Sequence, residues 1–453
     1  MVDARRQRGT DLLIVVTVFV LFVANAWIRR SPEVSDDGAW YLCYAEAAAH
    51  GWVGRLFPGA APAWGASAPA WPLVPAPAIA LGVPADVAVQ TLGAGIGAAG
   101  LTATVAWLAR RAPTRHRALA AVGFLVFALA DATIGHHLTS GLESPATLAL
   151  LAAVLWQMPL AAAILAMHKI DLVPAGILAL PKRGRVVACV AIVTFYAAAS
   201  LYFGSVGPLP LQTKLVWQRQ HVDAYPPLVG HDWFALTVYA AGMHRWATVL
   251  APIAVLPGPA REWARLPVAL LLTHTLAWTM FPPFEAYSWY AVPGIWAALV
   301  LGAVGLGRAA DGIVAVSERP GWPRYLAPFA WRFAPLAVLL ALAVLHLPET
   351  LADARRLQAW SAEVDGARAK IGDWIAANTP TEAVVRTPWG LPAWRSRRRV
   401  YDSAFLNNPP GDPPGSCPAC TVRVENADVP VEAGWVLRAR IGGFAAWTLA
   451  NEP

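Results

Sequence analysis

The chain has 453 residues, 57% of them hydrophobic and 14% charged. A soluble domain carries about 25% charged residues, so this composition excludes a soluble globular enzyme and implies a polytopic helical membrane protein. The formal charge of +7 lies in short basic clusters between apolar runs, which mark cytoplasmic loops and exclude a nucleic-acid-binding face.

Arg5, Arg6 and Arg8 precede an apolar run from Asp11 to Ile28 with no small-residue cleavage site after it. This predicts an uncleaved signal anchor that crosses outward and ends at Arg29 and Arg30. A long outer loop, 30–85, follows. It opens with Asp36 and Asp37, then Trp40, Tyr41 and Tyr44, rings that favour the boundary between water and lipid. The adjacent carboxylates admit two readings. They can cap a helix that begins near Gly38. They can also meet a water-borne reactant on one side and a lipid-borne one on the other. The second half of the loop, 64–81, is apolar but broken by Pro69, Pro72, Pro75 and Pro77, so it is expected to lie in the interface.

A crossing at about 86–109 places Arg110, Arg111, Arg115 and Arg117 inside. Residues 118–135 cross outward to a polar turn containing His136, His137 and Glu143. Residues 144–181 must reach the basic cluster at Lys182. They are expected to form one full span and a short broken pair around His168 to Asp171. Residues 186–203 lead out to a second loop, 204–245, with Lys214, Arg219 and His221. Further crossings are expected at 246–258, 266–280, 289–307 and 330–347, with Glu285, Tyr287, Trp289 and Tyr290 between the second and third. The total is about 9–11 spans at ~20 residues each. From 348 the chain turns polar. A helical stretch to Asn378 and strand-like runs at 383–385 and 399–401 predict a small α/β domain on the outer side. Cys417 and Cys420 form a disulfide if that loop is extracytoplasmic, or an idle thiol pair otherwise. The chain thus divides into a membrane domain, 1–347, and an extracytoplasmic domain, 348–453.

The polar residues away from the basic clusters collect on the outer side, in several loops that can share one cavity. Sugar transfer suits such a cavity. An acceptor hydroxyl needs a carboxylate base, and a departing lipid phosphate needs Lys or Arg. Direct displacement inverts the anomeric carbon. Bland readings stand beside these. Glu143 can cap the helix that starts at Ser144, and Lys214 can snorkel. Trp289 and Tyr290 can belong to an aromatic belt, and the His pair can be a polar turn.

Four stretches resemble the GT-C fold glycosyltransferases that use polyprenyl-phosphate sugars, among them protein O-mannosyltransferases, lipid A aminoarabinose transferases and, in strongest resemblance, the terminal β-arabinofuranosyltransferases of the mycobacterial cell wall. They are Asp36-Asp37-Gly38-Ala39-Trp40-Tyr41, Thr139 to Pro145, Tyr202-Phe203-Gly204 through Pro210 to Thr213-Lys214, and Ile371 to Asp402. Where that family often carries Arg-Pro-Glu-Gly, this chain has Leu172 to Gly176, with Lys169 and Asp171 as substitutes. The resemblance implies a GT-C membrane domain with Asp36 and Asp37 catalytic, Asp36 as the base and Asp37 orienting the loop. It implies substrate contacts from Glu143, His137, Lys214, Arg219, Tyr287 and Tyr290, with Lys214 on the phosphate. It implies no metal and no cofactor beyond the lipid-phosphate sugar, a glycan or lipid acceptor, and a site outside the plasma (inner) membrane. The alternatives are a transporter or flippase of lipid-linked sugars, which needs ionisable groups at mid-membrane such as Asp131, Lys169 or Asp171, and a non-catalytic envelope scaffold.

Overall fold

Apolar runs become helices here because their backbone groups must pair within the segment wherever water is absent. In the computed structural model the described residues are 2–210, 212–213, 244–255, 263–280, 288–317, 327–404, 407–408, 417, 419–431 and 433–450. The first part is helical: α1 (Val2–Ile28), α2 (Asp36–Ala49), α3 (Ala76–Ala80), α4 (Ala85–Arg111), α5 (Arg117–Ala130) and α6 (Ala132–His137). There follow α7 (Ser144–Leu155), α8 (Pro159–His168), α9 (Val173–Ala179), α10 (Lys182–Phe203), α11 (His244–Val255) and α12 (Arg265–Met280). Then come α13 (Val292–Ser317) and α14 (Ala327–Trp360). Among the described residues, 4 helical segments are long and apolar enough to cross a membrane: Asp11–Ile28, Ala85–Arg111, Lys182–Phe203 and Trp289–Val316. The last is 94% buried and α10 only 11%, so α13 is the centre of the bundle and α10 faces lipid. Phe22, Trp107, Phe124, Phe127 and Trp296 fill the core between them. The chain is a multi-pass membrane protein.

The segments expected to be irregular are short and broken. Residues 64–81 hold one turn at Trp71–Leu73 and α3, neither long enough to span. The run 118–135, expected as one outward crossing, instead breaks at Asp131, whose side chain accepts from the Ile134 amide at 2.8 Å and caps α6. The stretch 144–181 departs from expectation. It contains no full span but three short helices, α7, α8 and α9. At about 1.5 Å per residue, α7 is near 18 Å long, well short of a bilayer. A turn with Gln157 at φ 61° folds α8 back along it, so the hairpin starts and ends at one level.

The division at 347/348 falls inside α14, which runs through Pro348 without a break. A π-helical turn, Ser361–Asp365, joins it to α15 (Gly366–Asn378). After β1 (Val384–Thr387) come α16 (Gly390–Ser396), β2 (Arg399–Asp402), β3 (Val422–Asn426), β4 (Trp435–Ile441) and β5 (Phe444–Leu449). The sheet order is β2-β1-β3-β5-β4. β1 runs parallel to β2 and β3, and β5 antiparallel to β3 and β4. Its apolar face packs on α15 through Ile371, Ile375, Val385 and Val424. Cys417 and Cys420 are disulfide-bonded.

Candidate active site

The site is built on α2. Ser35 is its N-cap. The Ser35 hydroxyl accepts from the Gly38 amide at 3.1 Å and donates to the Ser140 carbonyl at 2.9 Å. Capping therefore belongs to Ser35, and Asp36 and Asp37 occupy the first turn, where negative charge complements the helix dipole. A Cβ on Gly38 would stand 2.4 Å from the Ser140 carbonyl oxygen. Gly38 thus admits the backbone of the 139–143 turn, and this contact fixes that turn against α2.

Successive helical residues point about 100° apart, and the two carboxylates diverge accordingly. Asp37, Trp40, Tyr41 and Tyr44, at i, i+3, i+4 and i+7, line one side of a cavity. Its other walls come from Gly65 to Ser67, Leu142, Glu143, Trp289, Tyr290 and Asn407. Asp36 lies on a different face, against the C-terminal domain. Its Oδ1 accepts from the Leu391 amide at 3.0 Å, and its Oδ2 stands 3.7 Å from Arg368. The expectation that Asp36 faces the cavity and Asp37 orients the loop is therefore corrected. The reason lies downstream in sequence: α16 docks on the Asp36 face. Burial pushes the Asp36 carboxyl above its ordinary value, against Arg368 and the amides of Leu391 and Gly390.

Glu143 is buried at the cavity wall. Its side chain makes no cap bond to α7. It pairs instead with Lys169 at 2.9 Å, the two side chains 2% and 5% exposed. The α7–α8 hairpin returns Lys169 to this point. Burial alone would raise the Glu143 carboxyl, but the Lys169 ammonium outweighs it and holds the group below its ordinary value. The Lys169 ammonium also sits 5.3 Å above the Tyr290 ring. The Tyr290 carbonyl is hydrogen-bonded to His274, and His274 stands 4.0 Å from Asp171. Lys169 and Asp171, read as substitutes for the missing Arg-Pro-Glu-Gly, thus both enter the polar network behind the cavity.

His137 is buried, within 3.3 Å of the Ser140 hydroxyl and edge-on to Trp289 at 6.2 Å. Burial, then His136 and Lys169, lower its proton affinity well below the usual value. Expected to contact substrate, His137 does not line the cavity; it packs behind Trp289. Tyr290 lines the cavity. Lys214, Arg219 and Tyr287 lie outside the described residues. The cavity also includes Asn407, on the loop after β2, which sequence reading missed. Trp40, Tyr41 and Tyr44 were read as interface rings, although their i+3, i+4 and i+7 spacing from Asp37 carried the signal of one shared face.

Membrane helices, a cavity at one end between their connecting loops, and an α/β domain over that end define the GT-C fold, and the chain has it. Over 98% of its length and 98% of the other chain it is similar to the crystal structure of ArnT from Cupriavidus metallidurans in the apo state, with a TM-score of 0.60 and 15% identity. At that identity the likeness is one of fold. A cryo-EM structure of the arabinofuranosyltransferase AftD from mycobacteria aligns with 96% of this chain and 40% of that one, with a TM-score of 0.44 and 15% identity, and adds nothing to the assignment. No protein-family model matches the sequence, and no curated protein matches it.

Proposed function

We propose that this protein is an integral membrane glycosyltransferase. It moves a sugar from a polyprenyl-phosphate donor to an extracytoplasmic glycan or lipid acceptor, with inversion. One observation carries the reading: Asp37 and the ionised Glu143 open into a single ring-lined cavity, while Asp36 is turned into the domain contact. Asp37 is the general base. It takes the proton of the acceptor hydroxyl as that oxygen bonds to the anomeric carbon. The bond from that carbon to the phosphate oxygen breaks on the opposite face, and polyprenyl phosphate leaves. Glu143 accepts hydrogen bonds from sugar hydroxyls, and Lys169 keeps it charged for that task. Lys214 and Arg219 are assigned to the departing phosphate. The reaction uses no further cofactor.

The cavity and the C-terminal domain are assigned to the outer side of the plasma (inner) membrane. The support is charge: Arg110 and Arg111 end α4 at the far end from Ala85, and Arg115 and Arg117 follow there, as the inward bias of basic residues requires. Asp131, the main candidate for a mid-membrane transport group, is occupied in capping α6.

The test is turnover of defined donors by the full chain in lipid nanodiscs. Farnesyl-phosphate-linked arabinofuranose and mannose would be supplied with octyl glycoside acceptors, and the product configuration read by NMR. Release of farnesyl phosphate with an inverted product supports the reading. No release from either donor, or a product of retained configuration, contradicts it.

A further inference from the structure

The described part of the loop after β2 is held in an unusually complete polar frame. Asp402 closes β2 and is fully buried. Its amide donates to the Asn408 side-chain oxygen at 2.9 Å, and its carbonyl accepts from the Asn408 Nδ2 at 2.8 Å. Its carboxylate accepts from the Ala404 amide and from the Asn407 Nδ2, each at 2.8 Å. A loop that only connects two strands has no need to bury an Asp and two Asn, since burying polar groups costs free energy unless each is paired. The frame has a directional product. It fixes the plane of the Asn407 amide, which lines the cavity beside Tyr44. Tyr44 donates to the Asn407 Oδ1 at 3.3 Å and holds the amide from the other side.

A side-chain amide has two N–H donors and an oxygen with two lone pairs. Asp402 takes one donor and Tyr44 one lone pair. One N–H and one lone pair remain without another partner among the described residues, both in the plane of the amide. That pattern matches two neighbouring hydroxyls of a saccharide, one accepting and one donating. Aromatic walls beside it, Trp40 and Tyr44, supply apolar surface for the sugar ring. Tyr44 lies seven residues beyond Asp37 on α2, about 10 Å along the helix. Asn407 therefore addresses a part of the acceptor beyond the reacting hydroxyl.

We infer that Asn407, oriented by Asp402 and Tyr44, forms a saccharide-binding subsite supplied by the C-terminal domain, which reads a pair of hydroxyls on the acceptor. This rests on the transferase reading for the word acceptor but not for the subsite itself. The acceptor is then a glycan or the glycan part of a glycolipid. A lipid with no sugar is outside its class, because a site built to hydrogen-bond hydroxyls discriminates against partners that lack them.

The experiment measures binding without donor. The full chain in nanodiscs is titrated with octyl α-arabinofuranoside, octyl α-mannoside and their α-linked disaccharides, and tryptophan fluorescence is followed. Wild type is expected to bind at least one disaccharide more tightly than its monosaccharide. Asn407→Ala is expected to weaken that binding by roughly 10-fold, and Tyr44→Phe, which keeps the ring, by less. Analogues deoxygenated at the hydroxyl pair should bind wild type more weakly than the parent, and Asn407→Ala should lose this preference. Thermal melting of each variant identifies any that unfold, and Tyr44→Phe carries the test if Asn407→Ala does. No glycoside binding by wild type, or equal affinity and an intact hydroxyl preference in folded Asn407→Ala or Tyr44→Phe, overturns the subsite. Donor turnover with an unaltered preference in the variant sinks the subsite and leaves the transferase. Binding that depends on Asn407 without donor turnover keeps the subsite and sinks the transferase.

Discussion

Adjacent Asp36 and Asp37 have separate surroundings because a helix separates them by angle. Their presence near a membrane exit was legible in the sequence. Which one meets the cavity was not, because that is set by Gly390 and Leu391, some 350 residues later. The pairing of Glu143 with Lys169 was half legible. Lys169 stood out as an ionisable residue in an apolar stretch, but its partner depends on the α7–α8 hairpin. A buried pair is costly to break from one side, about 3–5 kcal/mol, because the remaining charge is stranded. Lys169→Met is therefore expected to destabilise the protein by about that amount, read as a lowered midpoint of thermal unfolding in detergent. Lys169→Met combined with Glu143→Gln should recover most of the loss. Full stability of Lys169→Met alone would show that the ammonium does not sustain Glu143.

Among the elements, α2 presents two occupied faces. One lines the cavity. The other receives α16, with Trp394 donating to Glu46 at 3.1 Å, Arg397 also on Glu46, and Arg395 on Glu33 at 2.7 Å. The contact is close enough that a Cβ on Gly390 would stand 2.2 Å from the Asp36 carbonyl oxygen and 2.8 Å from the Trp40 amide nitrogen. Both are backbone atoms and cannot move aside. Gly390→Ala should cost about 1–3 kcal/mol as overpacking and expose the 390–396 segment to limited proteolysis. Wild-type protease resistance would contradict this docking.

The same contact carries a pH dependence. Asp365 accepts from the Ser361 hydroxyl at 2.8 Å and lies 3.9 Å from Arg368, which stacks over Trp389 and Phe444. Burial, then the nearby Asp36, push the Asp365 carboxyl up to about 7. In the folded state it holds a proton that the unfolded chain has released, so its contribution is full at acidic pH and is lost as pH rises through about 7. Docking should weaken between about pH 4 and 7, and Asp365→Asn should flatten that slope in thermal melts against pH. A slope unchanged in Asp365→Asn would assign the titration to another group.

At the scale of the whole molecule, length and hydropathy announced a helical membrane body, and the polar tail announced an α/β domain. The strand-like runs at 383–385 and 399–401 fall on β1 and β2. The sequence did not show that α14 carries the membrane body into that domain without a break, because Pro348 reads locally as a boundary. Nor did it show that the domain enters the cavity. The Asn407-Asn408 pair before two prolines has the composition of a turn, and the place of Asn407 at the cavity is set by the folded C-terminal domain. The topology makes one further claim. Impermeant thiol reagents on intact cells should label single cysteines placed at exposed positions in 360–450 and miss Arg111→Cys. Labelling at Arg111→Cys would invert the orientation and move the cavity to the cytoplasmic side.

The proposed assignment has Asp37 facing the reacting sugar and Asp36 holding the domain. It is tested most directly by comparing Asp37→Asn and Asp36→Asn for single-turnover transfer from a polyprenyl-phosphate sugar in nanodiscs. Both substitutions keep side-chain size and one acceptor oxygen while removing the charge and the basic oxygen. General-base catalysis contributes about 10²–10⁴-fold. Asp37→Asn should lose turnover by about that factor with donor affinity nearly kept, while Asp36→Asn should lose far less and instead shift the thermal midpoint. Wild-type turnover in Asp37→Asn, or the large loss confined to Asp36→Asn, would contradict the assignment.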